Sequence, residues 1–228
     1  MDNLQMTPAT MRHIPLLTPD AAFDAVVLGD GDYPSHPLPT VILNRAAYLC
    51  CCDGAGRQAI DRGRMPDAIV GDGDSFGADY RARYARLFHQ VDEQDYNDLT
   101  KATRHCMAQG FRRLAYLGTT GKREDHMLGN ISQLMNYARN FGFDVTAITD
   151  YGYFIPCHGD VCLETLPRQQ VSLFNAGCSV LESEGLRWNT YPYTAAWQGT
   201  LNEALGTHAE LHADGWYLLY CTFDAKQP

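Results

Sequence analysis

Residues 68–75 read Ala-Ile-Val-Gly-Asp-Gly-Asp-Ser, an apolar run that ends in two aspartates next to glycines. A second acidic group, Asp-Tyr-Asn-Asp at residues 95–98, follows it, and Lys101 comes about one helical turn later. Carboxylates at a strand end, followed by acids and a lysine at a helix start, suit a hydrated divalent cation and a polyphosphate. The reason is that Mg²⁺ takes one or two protein carboxylates plus phosphate oxygens, and a helix N-terminus offers free N–H groups to anions. The stretch therefore indicates phosphoryl-type transfer.

Apolar runs of this kind recur through the first two-thirds of the chain and predict strands at residues 25–28, 47–52, 68–70, 114–117 and 145–148. Segments with helical spacing lie between these runs, at residues 80–88, 98–109 and 126–141. Strands that alternate with helices favour an α/β fold, with a mostly parallel, Rossmann-like sheet and covering helices. Ligands of such sheets bind at the carboxyl ends of the strands. Several glycines and acids lie at these ends: Gly29, Asp53, Gly71, Asp72 and Gly118.

The pattern changes near residue 150. Beyond it, short apolar pieces at residues 173–174, 179–181 and 216–221 predict strands separated by turns, without a convincing helix. We therefore predict two domains, residues 1–150 and residues 151–228, of which the second is a small antiparallel β-sandwich. Because one core of that size supplies limited stability, we expect it to pack on the first domain or on a partner subunit.

Composition narrows the function. The 228 residues carry a formal net charge of −9, which argues against a general nucleic-acid or membrane-surface binder. No apolar run approaches the roughly 20 residues of a membrane helix, and the first residues lack a signal-peptide pattern. The eight cysteines include no Cys-x-x-Cys pair and are interpreted as reduced thiols, with residues 50–52 in a buried strand. We expect a cytoplasmic protein.

The tetrapeptide Gly-Asp-Gly-Asp occurs twice, at residues 29–32 and 71–74. Alone it is more typical of a solvated turn than of a metal site. The first copy leads into Tyr33 and Pro34 without a following helix, so we assign it mainly a loop role, with backbone contact to a nucleotide as the functional alternative. For Asp98 and Lys101 the alternative is a capped helix start with a surface ion pair.

A third cluster, Gly-Thr-Thr-Gly-Lys-Arg-Glu-Asp-His at residues 118–126, runs from a strand end into a helix start. Its glycines, hydroxyl groups and two cations favour a loop that cradles phosphate. The spacing of a P-loop is absent. The alternative is a flexible loop in which Asp125 caps the helix.

Together these residues resemble the motifs of the thiamin pyrophosphokinases. The resemblance rests on the order and spacing of residues 71–75, 94–101 and 118–130, with weaker likeness at residues 53–55, 185–189 and 200–202. It extends from about residue 25 to the end of the chain. One departure is Gly73, which replaces a bulky residue, often phenylalanine, and loosens the turn.

The resemblance implies an ATP-binding catalytic α/β domain, a thiamine-binding β-sandwich and a homodimer with thiamine between the subunits. It implies transfer of the diphosphoryl group of ATP to the thiamine hydroxyl, which gives thiamine diphosphate and AMP. The implied catalytic residues, which would also hold Mg²⁺, are Asp72, Asp74, Asp98 and Asp125. The implied ATP and phosphate contacts are Asp53, Lys101, Gly118, Arg123 and His126, and the implied thiamine contacts are Gln94, Thr200 and Asn202.

Two alternatives stand beside this interpretation. One is another Mg²⁺-dependent Asp-x-Asp phosphotransferase or phosphatase, which would form an aspartyl-phosphate. The other is a thiamine- or metal-binding module whose acids bind without turnover.

Overall fold

The computed structural model describes residues 11–227. Its helices and strands, in chain order, are β1 (Arg12–Ile14), β2 (Ala25–Leu28), α1 (Pro37–Arg45), β3 (Leu49–Cys52), α2 (Asp53–Asp61), β4 (Ala68–Gly71), α3 (Ala78–Arg83), β5 (Phe88–Gln90), α4 (Asp98–Ala108), β6 (Arg113–Leu117), α5 (Glu124–Phe141), β7 (Asp144–Ile148), β8 (Gly152–His158), β9 (Val161–Glu164), β10 (Gln169–Asn175), β11 (Leu181–Glu184), the 3₁₀ turn η1 (Ala196–Gly199), β12 (Asn202–Glu203), β13 (His208–Ala213) and β14 (Trp216–Ala225).

The described residues divide into two compact units, residues 18–155 and residues 11–17 with 156–227. In the first unit the strands lie in the order β7-β6-β2-β3-β4-β5, and all of these neighbours are parallel. The start of β8 pairs antiparallel with β7. Helix α4 packs on β3 and β4, and α5 packs on β7. Because helices cover the sheet, its central strands are apolar on both faces, as the three consecutive cysteines of β3 illustrate.

The predicted α/β architecture is confirmed, and each of the five predicted strands is present. Helices α4 and α5 lie where their spacing predicts them. The helix predicted over residues 80–88 is wrong in its second half, because α3 ends at Arg83 and Phe88 begins strand β5. The Phe88 ring stacks on the fully buried Phe76, with ring centroids 5.6 Å apart. Phe88 therefore packs against a core residue from a strand, although its spacing from Tyr80 and Tyr84 fits one face of a helix.

Two helices were not predicted, and both have atypical beginnings. Helix α1 starts with Pro37 after His36, whose ring nitrogen accepts a hydrogen bond from the Leu38 amide. Helix α2 starts with Asp-Gly-Ala-Gly, a sequence that ordinarily indicates a turn. It is helical because Gly56 lies directly against Ile69, where a Cβ atom would come within 2.9 Å of that side chain.

The second unit contains strands from two sheets. Four strands lie in the order β1-β9-β13-β11, and β10 pairs antiparallel with both β12 and β14. The predicted antiparallel β-sandwich is confirmed, with η1 as a short helical turn within it. Strand β1 pairs parallel with β9, which places residues 11–17 in this unit although the sequence analysis assigned them to the first domain. Residues 1–10 of that assignment lie outside the described residues.

The eight cysteines all lie within the described residues, where no disulfide joins them, and seven of them are buried. Within residues 11–227, no helix combines the length and the hydropathy needed to cross a membrane.

The ends of β2 and β6 cross at close range. The Gly29 amide donates to the Leu117 carbonyl, and the Gly31 amide donates to the Gly118 carbonyl, both at 2.8 Å. A Cβ atom on Gly31 would lie 2.2 Å from the Thr120 carbonyl oxygen, so a side chain cannot fit without moving backbone. The crossing fixes two of the loops at the carboxyl edge of the sheet.

We therefore expect Gly31→Ala to lower the free energy of unfolding by about 2 kcal/mol, since the new methyl group overpacks two fixed backbone segments. The control is Gly129→Ala inside α5, where an added Cβ meets nothing within 4 Å. That change should raise stability by up to about 1 kcal/mol, the usual gain of alanine over glycine in a helix. Urea unfolding measures both, and equal effects of the two variants would contradict the close crossing.

Candidate functional site

A cavity of about 710 Å³ opens at the carboxyl edge of the parallel sheet in the first unit. Residues that follow β2, β3, β4 and β6 line it, together with the first turns of α4 and α5. This is the position that a doubly wound sheet offers to ligands. Its lining is strongly charged: the acids are Asp30, Asp53, Asp72, Asp95, Asp98 and Asp125, and the bases are Lys101, Lys122, Arg123 and His126.

Asp72 and Asp98 lie on one wall of the cavity with Lys101 beside them. The Lys101 side chain is 3% exposed, and its Nζ lies 3.1 Å from Asp98 Oδ1. A buried ammonium needs such a partner, since removal from water is costly for an isolated charge. The Asp74 amide donates to Asp72 Oδ1 at 3.2 Å, and this bond, with smaller contributions from Gln94 and Lys101, holds the pKa of Asp72 below its ordinary value. Asp72 is therefore ionised across the neutral range.

Asp53 occupies an unusual position at the start of α2. Its φ is +22°, and the residue is only 3% exposed. Oδ2 accepts a hydrogen bond of 2.7 Å from the Ser75 amide, whereas Oδ1 is buried and has no hydrogen-bond partner among the described residues. Burial raises the pKa of Asp53, the nearby Asp98 and Asp72 carboxylates raise it further, and the Ser75 bond opposes the rise. Backbone strain and an unsatisfied carboxylate at one position are typical of a functional site.

A polar chain joins the start of α4 to the start of α5. Asn97 caps α4 by accepting from the Thr100 amide at 3.0 Å, and its Nδ2 donates to Asn130 Oδ1 at 3.1 Å. Asn130 Nδ2 in turn donates to the Thr119 carbonyl at 2.9 Å. Below the cap, the buried Thr100 hydroxyl bonds to Tyr137. The second and third sequence motifs are thus connected through side-chain amides.

The N-cap and the first turn of α5 place two further charged residues, Arg123 and Asp125, at the cavity. Arg123 Nε lies 3.1 Å from Asp125 Oδ1, and the Asp125 carboxylate also accepts from the His126 amide. The Arg123 partner lowers the pKa of Asp125. Both side chains are largely exposed, so the pair is available to a ligand.

Most of the predicted site residues of the first unit line this one cavity. They are Asp53, Asp72, Gln94, Asp98, Lys101, Arg123, Asp125 and His126. Asp74 is exposed and does not line it, and Gly118, with a φ of +62°, does not line it either, although the next residue, Thr119, does. Among the described residues, no group of three or more histidine, cysteine or carboxylate side chains is arranged to hold a metal ion by itself.

The two predicted thiamine contacts of the second unit differ from each other. Asn202 is 5% exposed and is occupied internally: Oδ1 accepts from the Trp188 amide, and Nδ2 donates to the Trp188 carbonyl. Thr200 is exposed, and its hydroxyl donates to the Trp197 carbonyl. Exposed large apolar side chains surround this part of the chain, at Trp188, Tyr191, Trp197, Leu201 and Leu205.

The sequence analysis missed residues of the first Gly-Asp-Gly-Asp copy. Gly29, Asp30 and Gly31 line the same cavity as the second copy, and Asp30 Oδ1 lies 3.1 Å from Lys122 Nζ. The available signal was their position after a buried strand of the same sheet, whose carboxyl ends share one edge. Ser75, Asn97 and Asn130 also line the cavity, although the sequence analysis did not predict them as site residues.

A parallel sheet with carboxylates, a buried lysine, two exposed cations and helix starts at its carboxyl edge indicates a phosphotransferase of the α/β class. Family models agree with this class and narrow it. The model described as the thiamin pyrophosphokinase catalytic domain matches residues 40–146, and the model described as the thiamin pyrophosphokinase substrate-binding domain matches residues 152–220. The chain belongs to the thiamin pyrophosphokinase family. Membership makes it an ATP-using enzyme of thiamine diphosphate formation.

Solved structures share the fold. The yeast thiamin pyrophosphokinase is 16% identical, with 92% of this chain and 90% of that chain covered and a TM-score of 0.75. The Candida albicans enzyme is 16% identical, with 96% of this chain and 95% of that chain covered and a TM-score of 0.74. The Bacillus subtilis enzyme is 18% identical, with 87% of this chain and 98% of that chain covered and a TM-score of 0.71. A search of curated proteins finds no match.

Asn130→Ala tests the amide chain between the two motifs. It removes bonds to Asn97 and Thr119, so we expect the free energy of unfolding to fall by about 1–2 kcal/mol. We also expect kcat to fall about tenfold, because Asp98 and Lys101 lose their fixed position relative to α5.

The matched control is Asn136→Ala on the same helix, whose amide bonds only to side chains of α5. Urea unfolding and steady-state rates are measured for both variants. A kcat for Asn130→Ala equal to that of Asn136→Ala would show that the chain does not position the site.

Asp53→Asn tests the buried carboxylate through pH. Because its pKa is raised in the folded state, the folded protein binds this proton more tightly than the unfolded chain, and ionisation destabilises the fold as pH rises. Asp53→Asn should therefore raise the free energy of unfolding at pH 7. The gain should shrink as pH falls from the raised pKa of the folded state towards the ordinary pKa of aspartate, and it should vanish below that pKa, where both states are protonated.

Urea unfolding at several pH values measures this effect. The exposed Asp74→Asn variant is the control and should show no comparable gain. A stability loss for Asp53→Asn at pH 7 would show that the ionised carboxylate is stabilised in the fold.

Proposed function

We propose that the chain transfers the diphosphoryl group of ATP to the hydroxyl of thiamine and releases AMP, with the cavity of the first unit as its reaction site. One observation carries this assignment. Three acidic motifs, separated in sequence, converge on a single cavity that also contains a buried lysine and an arginine. A phosphatase would need a nucleophilic aspartate, and the matching family gives no support to that alternative or to a module that only binds.

Positioning and charge stabilisation account for the chemistry of such transfers. The attacking hydroxyl must approach the β-phosphorus in line with the departing AMP oxygen. Lys101 and Arg123 are cations at two sides of the cavity and would neutralise the charge of the phosphates. His126, at the N-terminal turn of α5, is placed for a further phosphate contact.

The proton of the thiamine hydroxyl needs an acceptor. Asp72 and Asp98 both line the cavity, and the lowered pKa of Asp72 keeps that group ionised. A carboxylate beside the hydroxyl can accept the proton late in the transfer. Either residue can fill this role.

Mg²⁺ fits the donors of the cavity. They are hard carboxylate oxygens, and the buried Asp53 Oδ1 has no hydrogen-bond partner among the described residues. We propose that Asp72 and Asp98 hold the ion together with the phosphates, while Asp74 and Asp125 remain predicted ligands. When bound, Mg²⁺ would neutralise the charge that develops on the phosphate oxygens.

We further propose a homodimer with thiamine bound between subunits and Gln94 as one contact. The exposed aromatic and aliphatic side chains around Thr200 support this, because such a patch suits either a partner subunit or the aromatic faces that attract a thiazolium cation. The side-chain amide of Asn202 is hydrogen-bonded to the Trp188 backbone, so we propose that Asn202 supports thiamine binding by holding this segment in place. We expect the reaction to occur in the cytoplasm, in keeping with eight cysteines that form no disulfide among the described residues.

The direct test is to incubate the protein with ATP, Mg²⁺ and thiamine and to identify the products. We expect thiamine diphosphate and AMP in equal amounts. ADP or free phosphate in place of AMP would indicate one of the alternatives, and no product with any divalent metal would overturn the assignment.

Asp98→Asn should lower kcat at least about 100-fold, since it removes both a carboxylate and the partner of Lys101. The control is Asp79→Asn, which changes an exposed acid in the first turn of α3 outside the cavity. Circular dichroism confirms that both variants fold. Comparable rates for the two variants would exclude Asp98 from the reaction.

A further inference from the structure

Lys122 has a backbone conformation that disfavours a lysine. Its φ is +52°, in the left-handed region where glycine carries no steric cost. The residue directly follows Gly121, whose φ is +79°, so the chain already uses glycine for this geometry one position earlier. A strained backbone conformation that persists beside a functional cavity calls for a reason beyond folding.

The Lys122 side chain is held by a carboxylate of the first Gly-Asp-Gly-Asp copy. Its Nζ lies 3.1 Å from Asp30 Oδ1, and Gln58 Nε2 donates to the same oxygen at 2.6 Å. Asp30 in turn lies against Gly54, where a Cβ atom would come within 3.0 Å of the carboxylate. Asp30 is therefore fixed from two sides, and it fixes the direction of the lysine.

Stability does not account for the pair. The Lys122 and Asp30 side chains are 49% and 43% exposed, and ion pairs this open to water contribute little to folding. Both residues line the cavity, and Gln58 does not. The pair thus has the placement of a ligand contact and the energetics of a weak surface interaction.

The same arrangement recurs at each lysine or arginine of the cavity lining within residues 11–227. Lys101 pairs with Asp98, Arg123 pairs with Asp125, and Lys122 pairs with Asp30. The first two cations are predicted phosphate contacts. Without Lys122, the Asp30 carboxylate would face a polyphosphate with no neutralising partner.

We propose that Lys122 is a phosphate-binding residue for ATP and that Asp30 is its positioning residue. The inference rests on the proposed function only in taking ATP as the ligand. The flexible lysine reaches towards the phosphates from the rim of the cavity, while Asp30 keeps it there in the absence of nucleotide. The strained backbone is the conformation that directs the side chain to this rim.

The test separates ATP binding from folding. We expect Lys122→Gly to raise the Kd for Mg²⁺-ATP about tenfold, as measured by calorimetry, because one charged contact is lost and Asp30 is left unneutralised. The midpoint of thermal unfolding should stay the same or rise, since glycine relieves the strain. Lys122→Arg should retain most of the affinity. Adding Asp30→Asn to Lys122→Gly should recover part of the loss by removing the repulsive charge.

Arg168→Gly is the matched control. Arg168 is also a cation with a positive φ of +70° and a carboxylate neighbour, Glu203, but it does not line the cavity. Its replacement should leave the Kd for Mg²⁺-ATP unchanged. A lower unfolding midpoint for Lys122→Gly with unchanged ATP affinity would overturn the proposal. It would show that the ion pair of Lys122 and Asp30 stabilises the fold and does not bind ATP.

Failure of the proposed function gives a different result. In that case the wild-type protein binds Mg²⁺-ATP with Lys122-dependent affinity but forms no thiamine diphosphate. Failure of the present inference leaves product formation intact and removes only the dependence on Lys122.

Discussion

Negative charge gathered at one edge of a sheet is the constraint on which the rest of this structure depends. Asp53 follows β3, Asp72 follows β4 and Asp98 begins α4, and the Asp98 and Asp72 carboxylates are close enough to raise the pKa of the buried Asp53. The buried Lys101 ammonium, 3.1 Å from Asp98, compensates part of this charge from within the protein. A polyanion can approach such an edge only with further positive charge, which explains why cations from the loop before α5 lie on its other side.

Rigid backbone and side-chain amides turn this charge into a defined geometry. The crossing of the β2 and β6 ends leaves no room for a side chain at Gly31, and backbone hydrogen bonds hold the two loops against each other. The Asn97 and Asn130 amides then join the starts of two helices. Uncharged amides therefore hold in place the loops and helix starts that carry the charged side chains. Such a fixed arrangement of charges is what preorganised electrostatic catalysis requires.

Much of this could be predicted from sequence because buried parallel strands leave continuous apolar runs, and acids after such runs share one edge. Asp72 was found in this way, whereas the roles of Asp98 and Arg123 came from the order and spacing of the family motifs. The sequence analysis assigned Asp30 mainly to a loop because no helix follows its tetrapeptide, whereas the fold brings both Gly-Asp-Gly-Asp copies to one cavity. Helix α2 and strand β5 were missed because packing of Gly56 on Ile69 and of Phe88 on Phe76 overrides local preference.

The pairing of β1 with β9 has a consequence for how the polypeptide is made. Ile14 pairs with Leu163, so the first strand meets its partner only after the whole of residues 18–155 has been synthesised. The first unit is then, in order of synthesis, an insertion within the second. It can fold on the ribosome while the early strand waits unpaired, and the second unit closes late through a contact of long sequence separation. Its assembly is therefore the slow step to expect in the maturation of this chain.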